Sequence, residues 1–344
     1  MVRTGTGAAL ACILTGGLAA CSQTDLPAIP ASQKAPASQK APASPAAPAS
    51  EPAGSASPAS PGSPTSRRSA ASSSSAILPS GPSTVTKLLV FVEENHSLDQ
   101  MKSDMPYTFG LARQFGYATH YTAIRHPSLP NYIAIAGGQT YGITNDNPPS
   151  ANPVGGSSVF GQASSYGRTA AIYAEGMTGS CSASGGTSRY AVKHNPWAYF
   201  TRERALCEKY DVPVDRLGDA VTGGTLPNVG MVIPDLCSDA HDCSLGTADT
   251  WFKGWMTRIF AGPDWRSGHL AVVLTADEDD SSQGNTVLTV MIHPSQKARV
   301  VTSPLTHYSL TRLFEEVAGM RYLSGAATAP SMTTAFGLPI SGRP

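Results

Sequence analysis

Short, uninterrupted apolar runs recur along the C-terminal three quarters of this chain. Lys87–Val92 reads K-L-L-V-F-V, and Thr169–Ala174, Val229–Ile233, Leu270–Thr275 and Val287–Ile292 repeat the signature. Apolar runs of this length without alternation predict strands buried on both faces, as in a parallel sheet. Between them, Leu129–Ala136, Pro196–Tyr210, Thr247–Phe260 and Tyr308–Ala318 have helical character, some with Asn, Thr or Ser at the start. The alternation predicts an α/β fold with a largely parallel central sheet and helices on both faces. No internal repeat and no domain break is visible after Val85, so residues 85–344 are expected to form one domain. The tail, Arg321–Pro344, is rich in Ala, Ser and Thr with little periodicity and is expected to wrap the surface without functional residues.

Upstream of Val85 the pattern vanishes. Residues 22–84 are almost entirely Ala, Pro and Ser, with a repeated Ala-Pro-Ala-Ser and a Ser72–Ser75 run. Such a segment cannot bury enough apolar surface to offset its ordering entropy, so an extended, solvated stalk is expected. A flexible coil of that length reaches about 45 Å root-mean-square. The first 20 residues carry Arg3, an apolar stretch from Ala8 to Leu14, and Leu18-Ala19-Ala20 before Cys21. That stretch is too short for a permanent bilayer span and reads as an export signal. Small residues before a cysteine resemble a bacterial lipobox, with cleavage before Cys21 and lipid on its thiol. The expected order is therefore signal peptide (1–20), lipidated Cys21 with linker (21–84), and folded body (85–344). The mature protein is expected to be exported and lipid-anchored on the outer face of the cell membrane, or released outside the cell.

Charge narrows the function classes. Only 14% of the 344 residues are charged, and 7 of the 48 charges precede Val85. The body carries 19 basic and 22 acidic residues and no basic run, so it lacks the electrostatic footprint of a nucleic-acid binder. Outside Cys12 and Cys21, four cysteines remain: Cys181, Cys207, Cys237 and Cys243. In an oxidising compartment an even number suggests two disulfides. Four cysteines allow three pairings; sequence-local closure favours Cys181–Cys207 and Cys237–Cys243. Their spacings lack a clear zinc pattern.

Candidate chemistry lies just past the strands. Glu93-Glu94-Asn95-His96 follows the first, Asp235–Asp242 follows Val229–Ile233, and Asp277–Asp280 follows Leu270–Thr275. Ligands of open α/β sheets bind beyond the carboxyl ends of the strands, where these clusters fall. Any one of them reads as a solvated loop tip; three together point to a site. Glu94, Asn95, Asp277 and Glu278 offer carboxylates and an amide carbonyl, the oxygen ligands a hard divalent cation takes. Ser128 opens a predicted helix, as an N-cap, an anion site or a nucleophile, and Asn131 lies one turn on. Among the eight histidines, His126, His194, His241 and His307 adjoin polar or helix-start motifs. His120, His269 and His293 lack such context.

Taken in order, E-E-N-H-S (93–97), H-P-S-L-P-N-Y (126–132), K-H-N-P (193–196), D-x-H-D-C (239–243), D-E-D-D (277–280) and H-Y-S-L (307–310) resemble the bacterial phosphoesterase family. That family comprises secreted acid phosphatases and phospholipases C within the alkaline-phosphatase-like superfamily, and the resemblance is closest to the acid phosphatases, some described as phosphatidylinositol-3-phosphatases. The resemblance implies an alkaline-phosphatase-like α/β fold. It implies one divalent metal (calcium, magnesium, manganese or zinc) held by Glu94, Asn95, Asp277 and Glu278, with Ser128 bridging metal and phosphorus as nucleophile. Glu278 stands where the family often has a second aspartate, and Ala276 where relatives often carry an aromatic residue. Asn131, His194 and His241 would contact the phosphoryl oxygens. Asp242 and His307 would orient those groups or protonate the leaving oxygen.

The implied function is metal-dependent hydrolysis of phosphate monoesters, phosphoinositides among them, through a phosphoserine; separately, a monomer is expected. If histidines hold the phosphate in protonated form, mildly acidic pH is favoured. A phospholipase C-type phosphodiesterase on the same scaffold is the alternative, and a surface binding protein with a degenerate site is the alternative of another class.

Overall fold

The computed structural model describes residues 83–184 and 186–341. The expected export signal, Cys21 and all of the linker before residue 83 lie outside the described residues. In chain order the first strands are β1 (Lys87–Glu93), β2 (Gly116–Ala118), β3 (Tyr121–Thr122), β4 (Ala170–Ala174) and β5 (Asp211–Pro213). They are followed by β6 (Val229–Ile233), β7 (Leu270–Ala276), β8 (Thr289–Ile292), β9 (Arg299–Val301) and β10 (Leu305–Thr306). Eight of them form one sheet in the order β5-β4-β6-β1-β7-β8-β2-β9, while β3 and β10 pair separately.

All five apolar runs became strands of the main sheet. Central β1 pairs in parallel with β6 on one side and β7 on the other, and its residues Leu88–Glu93 are buried. A strand without alternation suits that position, because helices cover both of its faces. Only β8 runs antiparallel to its neighbours β7 and β2. The strands without an apolar run, β2, β5 and β9, have three residues each. They lie at or next to the sheet edges, where Pro213 is tolerated because an outer N–H is not required.

The helices are α1 (Leu98–Asp104), α2 (Pro106–Gln114), α3 (Ser128–Gly137), α4 (Val159–Ser165) and α5 (Arg204–Tyr210). Then come α6 (Asp215–Gly223), α7 (Leu245–Ala261), α8 (Pro263–Arg266), α9 (His307–Ala318) and α10 (Met332–Phe336). Nine of them fall into two packing groups, α1, α2, α6, α7 and α8, and separately α3, α4, α9 and α10, while α5 packs on β4 and β5. In the first, Phe252 of α7 meets Phe91 of β1 edge to face, with centroids 5.1 Å apart. In the second, α9 packs on both α3 and β1.

Two expectations need correction. Pro196–Tyr210 is not one helix: turns of 3₁₀ helix at Pro196–Tyr199 and Thr201–Glu203 precede α5. Phe200 leaves helical geometry (φ −82°, ψ 93°), and the Glu203 carboxylate turns inward to accept from Ser158 N and Trp197 Nε1. The tail does more than wrap the surface. Met332 and Phe336 are core residues, and Val85 N donates to Pro339 O at 2.7 Å, so the tail closes over the start of β1.

Helix α3, which opens with Ser128, is sharply bounded. Gly138 ends α3 at φ +69°, and a Cβ there would lie 2.5 Å from the Leu323 carbonyl oxygen. Only glycine serves there. Both expected disulfides are present, Cys181–Cys207 and Cys237–Cys243.

Candidate active site

Because β6, β1 and β7 are adjacent and parallel, the residues that follow them emerge on one rim. Backbone bonds tie the three exits together: Glu94 N donates to Asp239 O at 2.9 Å, and Asp277 N to Glu93 O at 3.0 Å. Asn95 takes a left-handed conformation (φ +48°), which asparagine tolerates better than most residues, and turns the chain over the sheet edge. The result is a buried cluster of four carboxylates, Glu94, Asp239, Asp277 and Glu278.

Ser128, the first residue of α3, is buried beside them. Its hydroxyl donates to Glu94 Oε2 at 3.1 Å and accepts from Lys193 Nζ at 3.2 Å. Glu94 Oε1 accepts from Tyr132 OH at 2.6 Å, and the Tyr132 ring stacks on His194 (5.0 Å, 13°). His194 Nε2 lies 3.1 Å from Glu94 Oε1, and its Nδ1 lies 3.2 Å from Asp239 Oδ2. Neither contact has hydrogen-bond geometry, so both ring nitrogens are buried without a partner, as are Asp239 Oδ2 and Asp277 Oδ2. The Asn95 amide oxygen faces Glu94 Oε2 and Glu278 Oε1, oxygen against oxygen. Rotating the amide would give N–H bonds of 3.2 and 3.0 Å; a cation among the three groups would relieve the same repulsion.

These observations fit a divalent cation. Buried carboxylates need a counter-charge, and here burial raises every one of them. The Glu94 carboxyl stands well above its usual value, through burial and then repulsion from Asp277 and Asp239. Asp239 is pushed up to about 8, Asp277 to about 7 and Glu278 to about 9, burial being the main cause in each. Glu94, His194 and Asp239 present atoms within 4.8 Å of one another, a group able to hold a metal ion. Hard oxygens with one imidazole suit magnesium, manganese, calcium or zinc.

His126 Nδ1 lies 3.1 Å from Glu278 Oε2, and Lys193 brings an ammonium to the cluster. Burial alone would lower its pKa, but Glu94 and Asp146 outweigh burial and hold it above the usual value.

The expected site residues are not all placed alike. Glu94, Asn95, Ser128, Asp277 and Glu278 converge. Asn131, expected on phosphoryl oxygens, has its amide engaged by the loop before Ser128. Its Oδ1 accepts from Ile124 N and Arg125 N, and its Nδ2 donates to Arg125 O and Glu278 Oε2. His307 is buried behind the site, with Nε2 2.6 Å from Asp277 O and Nδ1 3.0 Å from Tyr121 OH. Burial depresses it to about 4. His194 is likewise held well below its ordinary value, by burial and then by Lys193. Protonation of buried histidines is therefore no reason for an acidic optimum. His241 is partly exposed, pairs through Nδ1 with Asp242 Oδ1 at 2.8 Å, and lies 6.0 Å from His194 between ring centres.

Of the acidic run, Asp279 caps the following turn, accepting from Ser281 N, Gln283 N and Asn285 N, and Asp280 is exposed.

Residues 91–321 match the Phosphoesterase family. The chain belongs to the phosphoesterase family. It is 28% identical over 260 residues to a phosphatidylinositol-3-phosphatase of Mycobacterium tuberculosis, covering 74% of this chain and 84% of that one. It is also 28% identical to the phosphate-repressible acid phosphatase of Penicillium chrysogenum, over 58% of this chain and 51% of the relative. This phosphoesterase thus spans most of the mycobacterial relative and about half of the fungal one. Among solved structures, an alkaline phosphatase superfamily protein from Vibrio parahaemolyticus superposes with a TM-score of 0.51 at 9% identity, over 70% of this chain and 68% of that one. That likeness is one of fold. As a phosphoesterase the chain is a phosphoric ester hydrolase with an alkaline-phosphatase-like α/β fold.

The sequence reading of this phosphoesterase assigned no role to Lys193, Asp239, Tyr132 or Asp146. Lys193, Asp239 and Tyr132 sit inside the motifs, Lys193 beside His194, Asp239 two residues before His241 and Tyr132 beside Asn131, so proximity in sequence was the available signal. Asp146 had none, because it lies in a long loop and reaches the site only through Leu129 N and Lys193.

Proposed function

We propose that this protein is a metal-dependent phosphomonoesterase that works through a phosphoserine on Ser128. The observation that carries the reading is the Ser128 hydroxyl, hydrogen-bonded between Glu94 and Lys193 beside the carboxylate cluster. Glu94, Asn95, Asp277 and Glu278 would hold one divalent ion, with His194 and Asp239 beside it. Such an ion supplies charge neutralisation for the phosphoryl group and for the attacking oxygen.

The chain's own groups perform the remainder. Ser128 Oγ attacks phosphorus as the ester P–O bond breaks, and its proton passes to Glu94 Oε2, its present acceptor. His241, oriented through Nδ1 by Asp242, protonates the leaving oxygen; water then hydrolyses the phosphoserine. His307 braces the Asp277 backbone, and Asn131 braces residues 124–127. Phosphoryl transfer asks mainly for positioning and charge stabilisation, which this arrangement can supply.

Phosphatase names among the relatives favour monoesters over diesters, and the mycobacterial relative makes phosphatidylinositol 3-phosphate the first lipid to try. Export and a lipid tether at Cys21 would place the activity on the outer face of the membrane. The test compares p-nitrophenyl phosphate, its bis ester and phosphatidylcholine, at pH 5 to 9, with and without chelator, beside Ser128→Ala. Monoester turnover lost with chelator and with the variant is expected. Turnover of the diesters alone would move the assignment to a phospholipase C-type enzyme. Failure on all substrates, with Ser128→Ala equal to wild type in any binding assay, would leave a surface binding protein.

A further inference from the structure

One charge at the site has no place in a metal-ligand set. Lys193 Nζ donates to Ser128 Oγ at 3.2 Å and lies 3.4 Å from Asp146 Oδ2. The Ser128 hydroxyl gives its own proton to Glu94 Oε2, so the ammonium addresses the lone-pair side of the oxygen. The lysine side chain is 23% exposed, and its head is held by Ser128 and Asp146.

The surrounding chain holds it there. Lys193 sits in a single 3₁₀ turn, Val192–His194, and the next side chain, Asn195, donates to both carboxylate oxygens of buried Asp211 at 2.8 and 3.1 Å. The Cys181–Cys207 bridge closes the excursion that carries this turn. Asp146 links the lysine to the helix: its Oδ1 accepts from Leu129 N at 2.9 Å while its Oδ2 pairs with Lys193. One carboxylate thereby fixes both the start of α3 and the cation above it.

Resting on the reading of Ser128 as nucleophile, we propose that Lys193 is a further catalytic residue, a fixed cation that binds Ser128 Oγ and a non-bridging phosphoryl oxygen together, with Asp146 as its positioning residue. As the Oγ–P bond forms and the ester P–O bond breaks, negative charge spreads over the phosphoryl oxygens. A preorganised ammonium at that place stabilises the transition state without rearrangement. Lys193 gives up no proton: the serine proton goes to Glu94 and the leaving oxygen takes one from His241.

The test uses the whole purified chain. Lys193→Met keeps the aliphatic stem and removes the charge; kcat is expected to fall about 100-fold or more in protein that is still fully folded at the assay temperature, as on loss of an oxyanion donor. Because Lys193 acts on the nucleophile and phosphoryl group, the loss should be equal for aryl phosphates of different leaving-group basicity. Lys193→Cys alkylated with 2-bromoethylamine restores an ammonium at nearly the same reach and should recover much of kcat. In the Ser128→Ala background, Lys193→Met should weaken binding of inorganic phosphate measured by calorimetry. A Lys193→Met enzyme within about threefold of wild-type kcat would overturn the proposal. So would a loss that tracks a lower melting temperature and is not rescued by alkylation. Ser128→Ala separates the two layers: if it remains active the nucleophile assignment fails, and if it is inert while Lys193→Met is active only the lysine assignment fails.

Discussion

Asp239→Asn tests the carboxylate cluster where the sequence was least informative. Asp239 Oδ1 accepts from His241 N at 2.8 Å, a bond that asparagine keeps, and Oδ2 is buried without a hydrogen-bond partner. Asp239 and Glu94 present oxygens within 4.8 Å of each other. At that distance and an effective dielectric near 20, two ionised carboxylates repel by about 3.5 kcal/mol. The folded protein raises Asp239 from 3.8 to about 8, mainly by burial, so it holds the proton more tightly than the unfolded chain. The metal-free protein therefore loses stability as pH rises from about 4 to 8, and the whole cost is present above pH 8. After local relaxation about 2 kcal/mol of it should be recoverable. For a body of this size that raises the melting temperature of Asp239→Asn by about 4–8 °C, measured at pH 8.5 in EDTA. Adding magnesium, manganese, calcium or zinc narrows the difference: wild type gains about 2.7 kcal/mol at 100 times Kd, and the variant gains less. Phosphatase activity of the variant falls. A melting temperature lowered by the substitution in EDTA, or an equal metal-induced rise in both proteins, would refute the repulsion argument.

Three further outcomes follow from the packing and the buried charges. Asp211 is raised to about 8, by burial first, and accepts twice from Asn195; Asp211→Asn should flatten a loss of stability of a few kcal/mol between pH 4 and 8, read by urea unfolding across that range. Phe252→Ala empties a fully buried position against Phe91 and should cost about 3–5 kcal/mol in the same assay. Cys207→Ser opens the bridge that closes 26 residues and should cost about 3 kcal/mol, with dithiothreitol lowering wild type by more than it lowers the variant, in which only Cys237–Cys243 is left to reduce.

The fold was legible where single elements carried their own signal. Central strands such as β1, β6 and β7 are buried on both faces, so they must be apolar throughout and stand out in the chain. Helices α3, α7 and α9 were found to within two residues, since α7 begins at a Ser244 cap and α9 at a Thr306–Ser309 capping box. The edge strands and short helices were not, because three to nine residues held by their neighbours need no pattern of their own. The Pro196–Tyr210 segment misled because its helical composition is overruled by the inward turn of Glu203.

By itself the sequence determined the α/β class and the motif order that marks the phosphoesterase family, and it favoured the cysteine pairing that the structure shows. It also determined that acidic clusters follow β1, β6 and β7, since those residues are contiguous with their strands. Which of those acids meet was decided by the strand order β6-β1-β7, which places Asp239, Glu94 and Asp277 side by side. Tertiary structure alone put Lys193 on Ser128 across 65 residues and Asp146 on both. It also turned Asn131 and His307 from ligand-facing candidates into braces, because their polar atoms are taken by neighbouring backbone and by Tyr121. Local sequence encodes what a segment prefers; contacts between distant segments decide which polar atoms are left over for a substrate.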